Sequence, residues 1–285
     1  MKESTESTKS MELTIDVLTG SGMPKDALKF LWLYIPIIWF AGTITLIQFT
    51  SFWKDFIGIP ILFYLLLPFV IFVDIYIFLG LSLFFTKLLL IFINLIHKPK
   101  EGIFHIREDR RVYLFWCIRK LLKKFVIWFA RNTPLPYVDI IAFRCLGVKV
   151  NFSNSILDSW LDLEFIEAGK KVFIGQGSTV CSGIVVGNYL IIKRIIFEDL
   201  AIVGGHSVVS PGTIIRKNAI LGAASITSFN QELEKDWVYI GIPARKFKLN
   251  KYAESNREII IKKDVELKET SIVKYEKIEK KEGEK

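Results

Sequence analysis

The stretch IVGGHSVVSPGTIIRKNAILGAASIT, residues 202–227, returns to one kind of side chain every six residues. Counted from Phe197, the beat falls on Val203, Val209, Ile215, Leu221 and Thr227. Two residues before each of these stands a small side chain (Ala201, Ser207, Thr213, Ala219, Ser225), and between the two columns runs a third of Ile202, Val208, Ile214, Ile220 and Ile226. Three columns in phase over five units fit no helical period. Side chains alternate sides along a strand, so the lead and small residues point inward and the β-branched residue points out. Small inward residues let the chain turn a corner, and six-residue units then stack as the coils of a β-helix around one shared core.

Upstream the same beat falls on Ala168, Ile174, Val180, Val186 and Ile192, after which the phase slips by one before Phe197. Such a slip marks a loop or a functional bulge. The outward isoleucines and valines are too apolar for a solvated wall, which predicts cover by other subunits or by an amphipathic helix of the same chain.

The rest of the chain is of another kind. Of 285 residues 51% are hydrophobic, and the formal charge is +9. Phe30 to Trp53 carries no charge and exceeds the roughly 20 residues that cross a bilayer. Phe56 to His97 is apolar apart from Asp74 and Lys87, and as one helix is about twice the hydrocarbon thickness. A turn near Asp74 to Gly80 would make three spans in all, and one span running into an interfacial helix would make two. Ten basic residues from Lys98 to Arg131 follow these runs while only Lys54 lies between them, which predicts that everything after residue 98 is cytoplasmic. The same distribution accounts for the net charge without nucleic acid, since no basic stripe with aromatics runs along the repeats. RRVYLFWCIRKLLKKFVIWFARN, residues 110–132, gathers Arg119, Lys120, Lys123 and Lys124 on one helical face, the pattern of a helix lying in the interface with its cations on lipid headgroups; a basic core-packing helix is the other reading.

These readings divide the chain into a polar segment (1–27), transmembrane helices (28–97), a basic amphipathic helix and linker (98–146), the β-helix (147–248) and a charged tail (249–285) whose end reads as solvated. The polar start is no cleaved secretory signal. Cys117, Cys145 and Cys181 are widely spaced and read as reduced, buried thiols. His97 reads as snorkelling to the headgroups and His105 as an interfacial polar residue.

The segment DWVYIGIPARKFK, with Trp237, Gly241, Pro243, Ala244 and Arg245, resembles the G-x-P-A-[KR] ending of the hexapeptide-repeat acyltransferases, whose fold is a left-handed parallel β-helix. Over about residues 98–247 the order of KPKEGIF, TPLPYVDIIAFRCLGVKV, IEAGKKVFIGQGSTV and GAASIT resembles the membrane-linked β-helix domains of poly-lysine-synthetase-like non-ribosomal peptide synthetases. The resemblance implies acyl transfer from acyl-coenzyme A or a carrier to an amine or hydroxyl, the closing segment contacting the co-substrate and a repeat histidine acting as general base. Counting from Ile174 puts that histidine at Gly183, beside Ser182 and Cys181. A glycine accepts no proton, which leaves His206, at an outward corner, and Ser182 as catalytic candidates. The expectation is a membrane-anchored, self-associating acyltransferase with a small-molecule donor and acceptor, no bound cofactor and no metal; the alternative is a catalytically silent scaffold. A zinc carbonic anhydrase of this fold would need three histidines, and the repeats hold only His206.

Overall fold

The computed structural model describes residues 25–251; the polar start and the charged tail lie outside the described residues. A 3-10 helix, Lys25–Leu33, runs into α1, Tyr34–Phe56. A three-residue turn leads to α2, Pro60–Ile96, 37 residues that continue through Asp74 and Gly80. The turn that would have made a third span does not form: Leu, Ile and Phe dominate this stretch, and no Gly–Pro or Asn–Gly pair interrupts it. Among the described residues, two helices are therefore long and apolar enough to cross a membrane, with mean hydropathies of 1.9 and 2.5.

After β1 (Gly102–His105), α3 (Arg110–Arg131) and α4 (Val138–Cys145) the coil begins. Its first wall holds β2 (Ser155–Ile156), β5 (Phe173–Ile174), β10 (Ile202–Val203), β13 (Ile220–Leu221) and β15 (Trp237–Ile240), all parallel, with β16 (Arg245–Leu249) antiparallel at the end. The second wall holds β3 (Trp160–Leu161), β6 (Thr179–Val180) and β11 (Val208–Val209), extended by a bridge from Val208 to Ile226. The third holds β4 (Ile166–Ala168), β9 (Ile195–Phe197), β12 (Ile214–Ile215) and β14 (Glu232–Leu233). Each strand pairs with those of the coils above and below it, so the chain is a three-walled parallel β-helix.

The columns behave as their chemistry requires. Val203, Val209, Ile215 and Leu221 are fully buried, and so are Ala201, Ser207, Thr213 and Ala219. The inward hydroxyls find carbonyls in the next coil: Ser178 Oγ donates to Gly204 O at 2.8 Å and Ser207 Oγ to Gly222 O at 2.8 Å. Each wall ends in a left-handed residue. The first corner stacks Asp158, Gly177, His206, Ala224 and Gly241; the second Phe165, Gly212 and Asn230; the third Lys171, Leu200, Asn218 and Asp236. Coils touch closely there, and a Cβ on Gly204 would lie 2.4 Å from the Ala223 backbone nitrogen. Gly204→Ala is thus expected to cost about 1–3 kcal/mol by overpacking, read as an earlier thermal unfolding transition.

The phase slip is a break in the coil. Paired residues lie 18 apart from Ile156 to Ile174 and from Val203 to Leu221, but 29 apart from Ile174 to Val203. The excess is a hairpin of β7 (Gly183–Val186) and β8 (Tyr189–Ile192), to which β1 adds a third antiparallel strand. Val186 and Ile192 therefore keep the beat without being coil walls. Val185, Leu190 and Ile192 pack instead with Tyr113, Trp116 and Leu121 of α3 in a second apolar cluster.

Helix α3 corrects one expectation outright. Its basic face does not point to headgroups: Arg119 and Lys123 are buried and face the first coil. Neither does this helix cover the outward aliphatics, which are half-buried and spread over all three walls, a distribution no single helix can span. His97 stacks flat on Phe115 with centroids 4.9 Å apart, where it was expected to reach for headgroups. Cys145 is exposed, while Cys117 and Cys181 are buried.

Candidate functional site

The candidates occupy two different places on the coil. Ser182 and Gly183 follow β6 at the second corner, where the chain leaves for the hairpin. Gly183 N–H donates to Asp162 Oδ2 at 3.2 Å, and a Cβ on Gly183 would stand 2.8 Å from Trp116 Nε1. The indole of α3 thus occupies the space a side chain at 183 would need. Ser182 is buried, and the pocket it lines with Trp116, Lys120, Asp162 and Glu164 has a volume of about 30 Å³. That admits water and no thioester. Cys117, on the same helix, is no nucleophile either, because burial pushes its thiol to about 12.

The pairs around this pocket were not foreseen from the sequence. Glu164 Oε1 accepts from Arg119 Nε at 2.7 Å and Lys123 Nζ at 3.1 Å, and Lys123 Nζ also donates to Leu163 O at 2.9 Å. Lys120 Nζ lies 3.4 Å from Asp162 Oδ1 and 4.8 Å from the Trp116 ring centre. Burial alone would push the Glu164 carboxyl up, but Lys123 and Arg119 hold it below the usual carboxylate range. Burial pulls the Lys123 ammonium below its usual range, against the attraction of Glu164. The signal was present in LDLEF, residues 161–165, where strand alternation puts Leu161 and Leu163 into the core and both acids on the other side.

His206 stands at the first corner in the left-handed conformation, with φ 56°, and is exposed. Its backbone N–H donates to Gln176 O at 2.9 Å, and its imidazole lies over Gly177, where a Cβ would meet Nδ1 at 2.5 Å. Its neighbours in the next coil are Ala223 and Ala224, both exposed. The coil after that puts Gly241, φ 100°, on the same corner. At about 4.8 Å per parallel strand, His206 and Gly241 are separated by roughly 10 Å along the coil axis. Ser182 lies about five residues beyond Gly177, roughly 16 Å along the strand. The fold therefore brings His206 to the closing segment and keeps it from Ser182.

Within that segment Gly241 N–H donates to Ser225 Oγ at 3.0 Å, and Ile242–Pro243 is a cis peptide. Ala244 is buried, its N–H donating to Ile226 O at 2.7 Å and its carbonyl accepting from Gln231 Nε2 at 2.7 Å. Arg245 is exposed, and Lys246 Nζ sits 3.9 Å from the centre of the half-buried Trp237 ring. Trp237 and Ala244 are thereby committed to closing the last coil, while Gly241, Pro243 and Arg245 are exposed and Gly241 shares the corner of His206.

No protein-family model matches the chain, and no curated protein matches it. Solved structures do. A maltose O-acetyltransferase from Clostridium difficile is 14% identical over 53% of this chain and 94% of its own, with a TM-score of 0.43. A hexapeptide-repeat acetyltransferase from Vibrio cholerae, complexed with acetyl coenzyme A, is 17% identical over 47% of this chain and 87% of its own, TM-score 0.40. A variant of an N-acyltransferase from Bacillus cereus, in complex with dTDP-4-amino-4,6-dideoxyglucose and coenzyme A, is 22% identical over 43% of this chain and 71% of its own, TM-score 0.33. These three solved structures are acyltransferases, one of them described as a hexapeptide-repeat acetyltransferase.

Proposed function

We propose that the chain is a membrane-anchored acyltransferase built on a left-handed β-helix, moving an acyl group from acyl-coenzyme A or a carrier to an amine or hydroxyl at the cytoplasmic membrane surface. The observation that carries this reading is the placement of exposed His206 on the corner that also carries Gly241. In the reaction the imidazole takes the proton of the acceptor as its nitrogen or oxygen attacks the thioester carbonyl; the carbon–sulfur bond breaks, and the proton passes to the departing thiolate. The small residues Gly205, Ala223 and Ala224 leave room at this corner for a donor lying between His206 and Gly241, the Ala224 N–H being already donated to Gly205 O.

The anchoring rests on α1 and α2, which expose Trp39, Ile61, Tyr64 and Leu65 at 70–86% where a soluble core helix buries its apolar face. With two spans both ends of the hairpin lie on one side, the side the basic residues mark as cytoplasmic. The order of landmarks over about 98–247 supports a place near the β-helix domains of poly-lysine-synthetase-like synthetases, and the half-covered aliphatics on all three walls support self-association.

His206→Ala is expected to lower acyl transfer by the detergent-purified full chain about 10²–10⁴-fold, measured with labelled acyl-coenzyme A and a total lipid and polyamine extract. Unchanged turnover would remove His206 from the mechanism. A second reading, a silent scaffold, is favoured by Gly183 under the Trp116 indole, and transfer at enzyme-like rates by the natural chain would exclude it.

A further inference from the structure

Between the last turns of α2 and the first coil lies a cavity of about 280 Å³, open on one side, that shares Lys123, Leu163 and Glu164 with the pocket at Ser182 and lies apart from the His206 corner. Lys87 and Asn94 line it from α2, and Lys149, Glu164, Glu167 and Arg194 line it from the coil. Its carboxylates are already engaged. Glu167 Oε1 accepts from Lys149 at 2.8 Å and from Arg194 at 2.6 Å, Arg194 also pairs with Glu101, and Glu164 is shared by two buried cations. Lys149 and Arg194 are thus balanced by Glu167 and Glu101, whereas Arg119 and Lys123 share Glu164 and, among the described residues, Lys87 has no ion pair. The surroundings of the cavity carry an excess of positive charge.

The approach to the cavity is apolar. Residues three and four apart share a helix face, so Gly80, Phe84 and Lys87 form one stripe of α2, on which Phe84, on the membrane side of Lys87, is 59% exposed. An apolar rail ending in cations has the chemistry of an amphiphile with an anionic head. Depth agrees with this. Lys87 stands about 40 Å along α2 from Pro60, and at an ordinary tilt of about 20° that is about 38 Å from the far side of a bilayer, at the level of the cytoplasmic headgroups beyond a core of about 30 Å.

We infer that this cavity binds a phosphate group, with Lys87 as its free cation and the Gly80–Phe84 stripe carrying the acyl chains when the phosphate is that of a phospholipid. The inference rests on the membrane reading of α1 and α2, and the test separates the two. The full chain in detergent is titrated with phosphatidylglycerol, with diacylglycerol of the same chains, and with glycerol 3-phosphate, and bound species are counted by native mass spectrometry. Phosphatidylglycerol is expected to bind and diacylglycerol not. Lys87→Glu is expected to weaken the binding at least about tenfold. Lys54→Glu, at the opposite tip of the hairpin, is expected to leave it unchanged. Full competition by glycerol 3-phosphate would assign the same site to a soluble phosphate. Equal binding of diacylglycerol, or phosphatidylglycerol binding untouched by Lys87→Glu, would overturn the inference. Lys87 is exposed, so its variants fold, and a thermal transition equal to that of the parent checks this. Release of the natural chain from membranes by alkaline carbonate would defeat the anchoring instead, whatever the titrations show.

Discussion

Glu164→Ala is expected to destabilise the chain by about 3–5 kcal/mol, because it leaves Arg119 and Lys123 buried without their shared counter-charge. The same variant should loosen α3 from the first coil, since this carboxylate is the point at which helix and coil are joined by charge. The pair's worth relative to an apolar contact is a different quantity. Glu164→Leu combined with Arg119→Met and Lys123→Met removes all three charges together and is expected to be far less damaging than Glu164→Ala alone. Denaturant unfolding of the detergent-purified chain reads both. A single variant as stable as the parent would show that the ion pairs do not hold the helix.

Acid should weaken the same junction. The folded-state value of Glu164 is held below its ordinary 4.5, so its contribution to stability is present above that value and is lost as the pH falls through the lower folded-state value. Unfolding measured as a function of pH should show an acid loss in the parent that is reduced in the triple variant.

Gly183→His is the second large effect. By the sequence pattern alone this change restores a base; in the structure its Cβ falls 2.8 Å from Trp116 Nε1 and 3.3 Å from Cε2, so the indole must leave its place between α3 and the hairpin. The expected outcome is a loss of about 1–3 kcal/mol from overpacking, rising toward the 3–5 kcal/mol of a deleted core tryptophan if the ring is expelled, with no gain in acyl transfer. Trp116→Ala alone also destabilises, and the two changes together are expected to cost less than the sum of the singles, with a coupling of about 1 kcal/mol or more. Additive losses in that double-mutant cycle would mean that the ring and residue 183 do not compete for one space.

The repeat was legible because a β-helix is close to a one-dimensional object. Each coil sees only its neighbours, so the inward, small and outward columns from Phe197 to Thr227 appear in the sequence at their structural period. The corner position of His206 followed from the same count. The upstream half misled for a physical reason: Val186 and Ile192 alternate correctly for a hairpin strand as well as for a coil wall, and a period of two cannot tell the parallel partner from the antiparallel one.

What the sequence by itself determined is the set of local periods: two long apolar runs, a basic helix, a six-residue coil, and one histidine at a coil corner. Only the tertiary structure decided which surfaces meet. The basic face of α3 reads the same whether its partner is a lipid headgroup or a carboxylate, and Asp162 and Glu164, some forty residues away, answer that question in space. The empty side of Gly183 is likewise invisible until Trp116 is seen to fill it. Charge and shape are settled by long-range neighbours, and periodicity carries information only about near ones.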